Sequence, residues 1–124
     1  MSQSFCHAAF VALATKRLNE LAKFYEALLQ TVPTQLIADR YAEFAIANLK
    51  LGLFQPQADH QAEFDQPARA AMSLCLEVAD LEGAIAQLTQ LGYAPPGAIT
   101  QASHGREIYA YDPDGNRLIL HQQP

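Results

Sequence analysis

The sequence predicts an α+β protein made of two βαβββ modules. Its 124 residues, half of them hydrophobic, suit a single domain or two small halves that share a core. Apolar residues recur at helical spacing in two places, and the two stripes lie about 63 residues apart, as from Leu18 to Leu81. A polar stretch containing Pro56 and Pro67 separates them. A repeated supersecondary unit explains this order, although two unrelated α+β halves would give the same coarse pattern.

The first module begins with an apolar run at 8–14, which predicts a mostly buried strand. A helix follows, and Pro33 discourages its continuation. The apolar stripe of this helix consists of Leu18, Leu21, Ala22, Tyr25, Leu28 and Leu29. Three strands are predicted after it, at 34–38, 41–47 and 49–54.

The second module repeats this order after a predicted linker at 56–69, so that the modules span about 5–55 and about 70–122. Asp80 is a suitable N-cap for the second helix, and Gly92 suits its C-terminal cap. The apolar face of this helix carries Leu81, Ala84, Ile85, Leu88 and Leu91. Strands are predicted at 73–78, 99–101, 106–111 and 117–121.

The last two strands flank a tight turn, which predicts a β-hairpin. Pro113 pre-sets φ, Asp112 can hydrogen-bond within its own turn, and Gly115 can take a positive φ. Asp112 and Asp114 also suggest a Ca²⁺ or Mg²⁺ site, but the remaining ligands of such a site are missing from the pattern. The pattern therefore favours a structural turn.

Charge and composition exclude several classes of function. The net charge of −5 argues against nucleic acid as a partner, because phosphate binding needs a surplus of Lys and Arg. The N-terminal residues show no signal peptide, and no apolar run reaches about 18 residues, so no membrane partner is expected. Cys6 and Cys75 are predicted to be small buried hydrophobic residues in a reducing compartment. These observations predict a cytoplasmic protein.

Several motifs together resemble those of the glyoxalase/bleomycin-resistance/extradiol-dioxygenase superfamily. The turn at 112–116 resembles its DPDGN hairpin, and Phe24 with Tyr25 resembles its recurrent FY pair. Residues 76–81 look like the opening of its second half, and residues 104–107 resemble the run into its last hairpin. The resemblance covers nearly the whole chain. It implies curled mixed sheets around a cleft, helices outside, and a homodimer.

The resemblance also locates the positions of the family's metal ligands, one on the first and one on the last strand of each half. These positions are Phe10, Gly52, Ser73 and Ile119. Phe, Gly and Ile offer no donor atom, and Ser is a poor ligand beside imidazole or carboxylate. We therefore predict no metal at the inherited site and no cofactor.

A replacement lining is predicted in the last hairpin, because alternate residues of a strand share a face. Arg117, Ile119 and His121 alternate along the last strand and share one face. Glu107, Tyr109 and Tyr111 alternate along the preceding strand and are expected on the same face of the sheet. Tyr109 also matches a tyrosine that lines the active site in extradiol-dioxygenase relatives. The predicted ligand-binding residues are Phe10, Gly52, Ser73, Glu107, Tyr109, Tyr111, Arg117, Ile119 and His121.

Three of these residues are candidates for catalysis. His121 or Glu107 would act as general acid or base, and Tyr109 would donate to a substrate oxygen. The structural alternative is a Glu107–Arg117 salt bridge beside tyrosines at a sheet surface. Cys75 and Glu77 lie two and four positions after Ser73, so they share its strand face and are expected to join this lining.

Two functions from different classes follow. The favoured one is a metal-free protein that binds a small organic molecule of unknown identity, similar to bleomycin-resistance members. The alternative is a lyase, isomerase or dioxygenase-type enzyme that uses displaced ligands at His121, His104 and Glu107. A vestigial module that functions by dimerisation or regulates a partner is a third hypothesis.

Overall fold

The computed structural model describes residues 5–124, which fall into two compact units divided between Gln61 and Ala62. Each unit contains one α-helix and one four-stranded mixed sheet. The predicted α+β class and the repeated βαβββ order are confirmed.

The first unit contains one helix against one sheet with the strand order β1-β4-β3-β2. Strand β1 runs parallel to β4, and the other neighbours are antiparallel. The elements are β1 (Val11–Ala14), α1 (Leu18–Leu29), β2 (Gln35–Ile37), β3 (Tyr41–Ile46) and β4 (Leu49–Phe54).

The second unit repeats this topology, with the strand order β5-β8-β7-β6 and β5 parallel to β8. Its elements are β5 (Leu74–Glu77), α2 (Leu81–Gln90), β6 (Thr100–Ala102), β7 (Gly105–Tyr111) and β8 (Arg117–Gln122). The segment predicted as a linker is not extended throughout, since it contains 3₁₀ helices at Ala58–Phe64 and Pro67–Arg69.

The core of each unit lies between its helix and one face of its sheet. In the first unit, Leu21 and Tyr25 of α1 are fully buried, as are Phe44 and Leu51 of the sheet. In the second unit, Leu88 of α2 is fully buried. The buried sheet residues of that unit are Ile108, Ala110, Leu118 and Leu120. Their spacing of two residues fixes which face of each strand the helix covers.

Both predicted caps of α2 are confirmed. The Asp80 carboxylate accepts a hydrogen bond from the Gly83 N–H at 3.1 Å. Gly92 follows the last helical turn with φ of +93°, a conformation that glycine adopts readily after a helix end. The Leu81 N–H donates to Oε1 of Gln122 at 2.8 Å, which ties the helix start to β8.

The predicted hairpin turn is also confirmed. The Asp112 carboxylate is buried and accepts hydrogen bonds from the backbone N–H groups of Asp114 and Asn116, both at 2.9 Å, and from the Asn116 side chain at 2.8 Å. Gly115 has φ of +90°. These hydrogen bonds give Asp112 a structural role in the turn, as the sequence pattern predicted.

Two sequence-based expectations are wrong. Strand β1 begins at Val11 rather than at residue 8, because its parallel pairing covers only Leu51 to Phe54 of β4. Cys6 and Cys75 are exposed rather than buried, and Cys75 lies on the face of β5 that the helix does not cover. Neither helix found among residues 5–124 has both the length and the apolar character needed to cross a membrane.

Candidate functional site

The candidate site is the face of the second sheet that α2 does not cover. Strand alternation places there the odd-numbered residues of β5, β7 and β8 other than Gly105, on the side opposite the even-numbered residues, several of which are buried. We call this surface the open face. It consists of Cys75, Glu77, Glu107, Tyr109, Tyr111, Arg117, Ile119 and His121.

Strand register orders the open face into rows. Ile119 lies between Cys75 on β5 and Tyr109 on β7, which forms a mostly apolar middle row. Tyr109 is 49% exposed, so its ring is available for contact. Tyr111 pairs with Arg117 in the row nearest the turn. The parity predicted from sequence for the hairpin residues matches this register.

The third row centres on His121, which lies between Glu77 and Glu107. Nδ1 of His121 is 2.7 Å from Oε1 and 2.8 Å from Oε2 of Glu77. The His121 side chain is 14% exposed. The hydrogen bond to Glu77 raises the pKa of His121 above its ordinary value, and partial desolvation opposes this effect.

His104 reaches the same row from the turn between β6 and β7. Its Nδ1 lies 3.0 Å from Nε2 of His121, and the two rings stack with centroids 5.1 Å apart. Ligand-type atoms of His104, Glu107 and His121 all lie within 4.8 Å of one another. The structure therefore brings together the three residues that the alternative enzyme hypothesis named as displaced ligands.

Gly105 makes this close approach possible. Its φ is +131°, and a Cβ at this position would lie 2.2 Å from the Gln122 carbonyl oxygen and 2.9 Å from Nε2 of His121. Any larger residue would collide with the end of β8. Glycine at the start of β7 is thus what allows the turn to fold against His121.

Arg117 is held at the other end of the open face. Its Nε donates to Oγ of Ser73 at 2.6 Å, and its Nη2 donates to the Ala70 carbonyl oxygen at 3.0 Å. The Glu107–Arg117 salt bridge of the structural alternative is not formed, because the register sets Arg117 opposite Tyr111 and Glu107 opposite His121. Ser73 lies just before β5, and its hydroxyl is occupied by a guanidinium.

In the first unit, the two predicted positions Phe10 and Gly52 lie together. A Cβ at Gly52 would be 3.3 Å from Cε2 of Phe10 and 3.0 Å from Oη of Tyr41. Tyr41 donates to the Glu43 carboxylate at 2.8 Å. Burial, and then the hydrogen bond to Glu43, raise the pKa of Tyr41.

Sequence reasoning missed Tyr41 and Glu43. One signal is present in the sequence: the two residues are two positions apart in a predicted strand, so they share a face. A second signal is visible only in the folded chain, where Glu43 pairs directly with Gly52 in the antiparallel register. The second signal was not accessible before the pairing of β3 and β4 was known.

The metal site of the fold family does not fit the residues present at its positions. Phe10, Gly52 and Ile119 carry no ligand atom. The Ser73 hydroxyl lies 2.6 Å from a guanidinium nitrogen, whose positive charge would repel a bound cation. We derive no chemistry through a metal at these four positions.

Paired βαβββ units with parallel first and last strands define the chain as a protein of two repeated mixed-sheet modules. A sequence model of the Glyoxalase/Bleomycin resistance protein/Dioxygenase superfamily matches residues 7–120. The chain belongs to this superfamily. No curated protein sequence matches it significantly.

Solved structures share the fold at low sequence identity. Hypothetical protein SA1046 from S. aureus has a TM-score of 0.80 at 16% identity, covering 97% of this chain and 96% of that one. The fosfomycin resistance protein FosX from Listeria monocytogenes has a TM-score of 0.76 at 18% identity, covering 98% and 96%. A bleomycin-binding protein complexed with bleomycin has a TM-score of 0.68 at 22% identity, covering 96% and 100%. These identities show a common fold alone.

Proposed function

We propose that this protein binds a small organic molecule on the open face of its second sheet, without a metal at the inherited ligand positions. The observation that carries the proposal is the row Cys75–Ile119–Tyr109, in which half-buried Ile119 lies between exposed Cys75 and Tyr109, with a polar row on each side. Binding sites for small molecules combine apolar and aromatic contact area with a few placed polar groups.

The polar groups of the open face favour an amphipathic ligand. Glu77 and Glu107 place two carboxylates beside His121 in the row alongside the apolar one. An aromatic ring can stack on Tyr109, while a basic group approaches these carboxylates. The net charge of −5 favours the approach of a cationic molecule. The bleomycin-bound neighbour supports the class of ligand, and the absence of tryptophan from this chain argues against the same stacking partners.

Gentle purification from cells followed by native mass spectrometry tests this proposal. A co-purified small molecule is expected on the wild-type chain and lost from Tyr109→Ala. The matched control is Met72→Ala, which removes another exposed large side chain of the second unit. Equal retention in both variants would contradict binding at the open face. Equal thermal stability of the two variants shows that folding is not the cause of any difference.

We also propose that the protein forms a homodimer. The edge strand β2 exposes apolar surface, with Leu36 and Ile37 at 59% and 56% of their full exposure. Such a strand, left uncovered, favours pairing with another chain. Light scattering is expected to give twice the chain mass at micromolar concentration, and Ile37→Lys to give a monomer. A monomeric wild-type protein would contradict this proposal.

A second candidate function is acid–base catalysis by His121. The favouring observation is the Glu77 carboxylate at Nδ1 of His121, which orients the ring. Nε2 would exchange a proton with a substrate that displaces its contact with His104. Incubation with a cell extract, followed by metabolite profiling, is expected to show turnover that His121→Asn removes. Turnover that survives this change would exclude the role.

A further inference from the structure

We propose that His104, Glu107 and His121 bind a divalent transition-metal ion, with Zn²⁺ as the best match. This site lies outside the four inherited ligand positions. It departs from the sequence-based prediction of no metal and no cofactor, which rested on those positions. It does not depend on the proposed binding of an organic molecule.

The spacing of the ligand atoms carries the inference. Nδ1 of His104 and Nε2 of His121 are 3.0 Å apart. Two ligands of a tetrahedral zinc ion, each at about 2.0–2.1 Å from the metal, are separated by roughly 3.3 Å. One ligand-type atom of Glu107, a carboxylate oxygen, lies within 4.8 Å of one ring nitrogen of each histidine. Small side-chain rotations therefore complete a three-ligand site.

The surroundings of His121 match those of a metal-bound imidazole. The Glu77 carboxylate accepts the Nδ1 proton at 2.7 Å, which leaves the lone pair of Nε2 directed at His104. Metal-binding histidines usually donate their second nitrogen to a carboxylate in this way, because it fixes the tautomer and makes the ligand more basic. Two surface imidazoles that merely touch would not need a carboxylate at the second nitrogen of one ring.

The donor set selects the metal. Two imidazoles and one carboxylate suit borderline ions such as Zn²⁺, whereas Mg²⁺ and Ca²⁺ prefer an all-oxygen shell. Glu107 and the nearby Glu77 supply negative charge that offsets the charge of a divalent ion. Three protein ligands leave a fourth position open for water or for a donor atom of another molecule.

The site is supported by regular structure. Glu107 and His121 are direct neighbours in the β7–β8 register, and His104 is held by the turn that Gly105 permits. A site on paired strands holds its ligands more precisely than a loop does. His121 is two residues beyond Ile119, the inherited position on the same strand.

Titration of the chelator-treated, full-length protein with Zn²⁺ alone tests the proposal by calorimetry. One Zn²⁺ per chain is expected, with micromolar or tighter affinity. His104→Ala and His121→Ala are expected to abolish this binding, and Glu77→Gln to weaken it by about 10- to 100-fold. Substitution with Co²⁺ is expected to give the visible absorption of a nitrogen- and oxygen-ligated ion, without a thiolate charge-transfer band.

His7→Ala and His60→Ala are the control variants, since both residues lie outside the cluster. His7 also follows Cys6 in the chain, so its removal tests whether Zn²⁺ binds at that cysteine–histidine pair instead. Unchanged binding in both controls is expected. Substoichiometric binding by the wild type would overturn the proposal. So would full binding by His104→Ala or loss of binding by His7→Ala. Circular dichroism shows whether each variant is folded, and His104, in an exposed turn, is the substitution least able to disturb folding. The Zn²⁺ titration contains no organic ligand, so its outcome is independent of whether the open face binds an organic molecule.

Discussion

Glu77 and His121 form a carboxylate–imidazole pair across two parallel strands, with 2.7 Å between Oε1 and Nδ1. Strand register alone makes them neighbours, since Glu77 is the last residue of β5 and His121 lies opposite it on β8. The pair fixes the orientation of the imidazole on which both the proposed acid–base role and the proposed metal site depend.

Removing the carboxylate in Glu77→Gln is expected to lower the pKa of His121, because the hydrogen bond to Glu77 is the largest cause of its elevation. NMR titration of the metal-free protein measures this value directly. Glu107→Gln is the comparison and is expected to give a smaller drop. Equal drops in the two variants would show that net charge, rather than the hydrogen bond, controls His121.

The same pair makes stability depend on pH. Because the folded-state pKa of His121 is raised, its contribution is complete below the ordinary histidine pKa of about 6.5. The contribution is lost as pH rises through the elevated folded value. Urea unfolding of the wild type and Glu77→Gln is therefore expected to differ at pH 5 and to converge at alkaline pH.

Glu82 and Arg106 tie the start of α2 to β7 through two hydrogen bonds. The Arg106 guanidinium lowers the pKa of Glu82 to about 2. The contribution of the pair is complete above the ordinary Glu pKa of about 4.3 and is lost as pH falls through about 2. Glu82→Gln should be slightly less stable than wild type at pH 7 and equally stable below pH 2.

Salt provides the check on this prediction, since Glu82 is 62% exposed and its ion pair is screened. The difference between wild type and Glu82→Gln at pH 7 is expected to shrink in 1 M NaCl. Glu26→Gln, on α1 of the first unit, is the control for removing one charge. A salt-independent difference would show that packing rather than charge is lost.

Gly105→Ala is expected to destabilise the protein by at least about 2 kcal/mol, because the residue has a positive φ and its Cβ would collide with the Gln122 carbonyl. Gly97→Ala is the matched control, since among residues 5–124 no atom beyond its chain neighbours lies within 4 Å of a Cβ there. Urea unfolding of both variants measures the difference. Similar stability of the two would show that β7 can shift away from β8 at little cost.

Asp112→Ala is expected to cost about 1–3 kcal/mol, because three donors of the hairpin turn lose their acceptor. Asp114→Ala keeps its backbone N–H and is expected to cost less. Thermal unfolding compares the two. If Asp114→Ala were the more destabilising variant, the role assigned to Asp112 would be wrong.

Much of this fold was accessible from sequence, because periodicity reports which face of a strand or helix is buried. The helical stripe from Leu18 to Leu29 and the cap at Asp80 are local patterns, and the structure contains both. Parity within the last hairpin placed Tyr109, Ile119 and His121 on one face, since a tight turn fixes the register of the strands that it joins.

The rest depended on pairings that local patterns do not encode. The position of His104 follows from the β6–β7 turn and from Gly105, whose positive φ is a property of the folded chain. Arg117 bonds Ser73 rather than Glu107 because of the parallel β5–β8 pairing. Cys75 lies in an apolar run of the sequence, which predicts a core residue, yet its side chain is on the open face.

The central claim, that the open face binds a small organic molecule, is tested most directly by mapping binding with NMR. Amphipathic aromatic amines serve as probes against the isotopically labelled protein. Shifts are expected at Cys75, Ile119 and Tyr109 and at their neighbours on β5, β7 and β8, and they should be lost in Tyr109→Ala but not in Met72→Ala. Shifts confined to residues outside the open face, or no response to any probe at millimolar concentration, would contradict the claim.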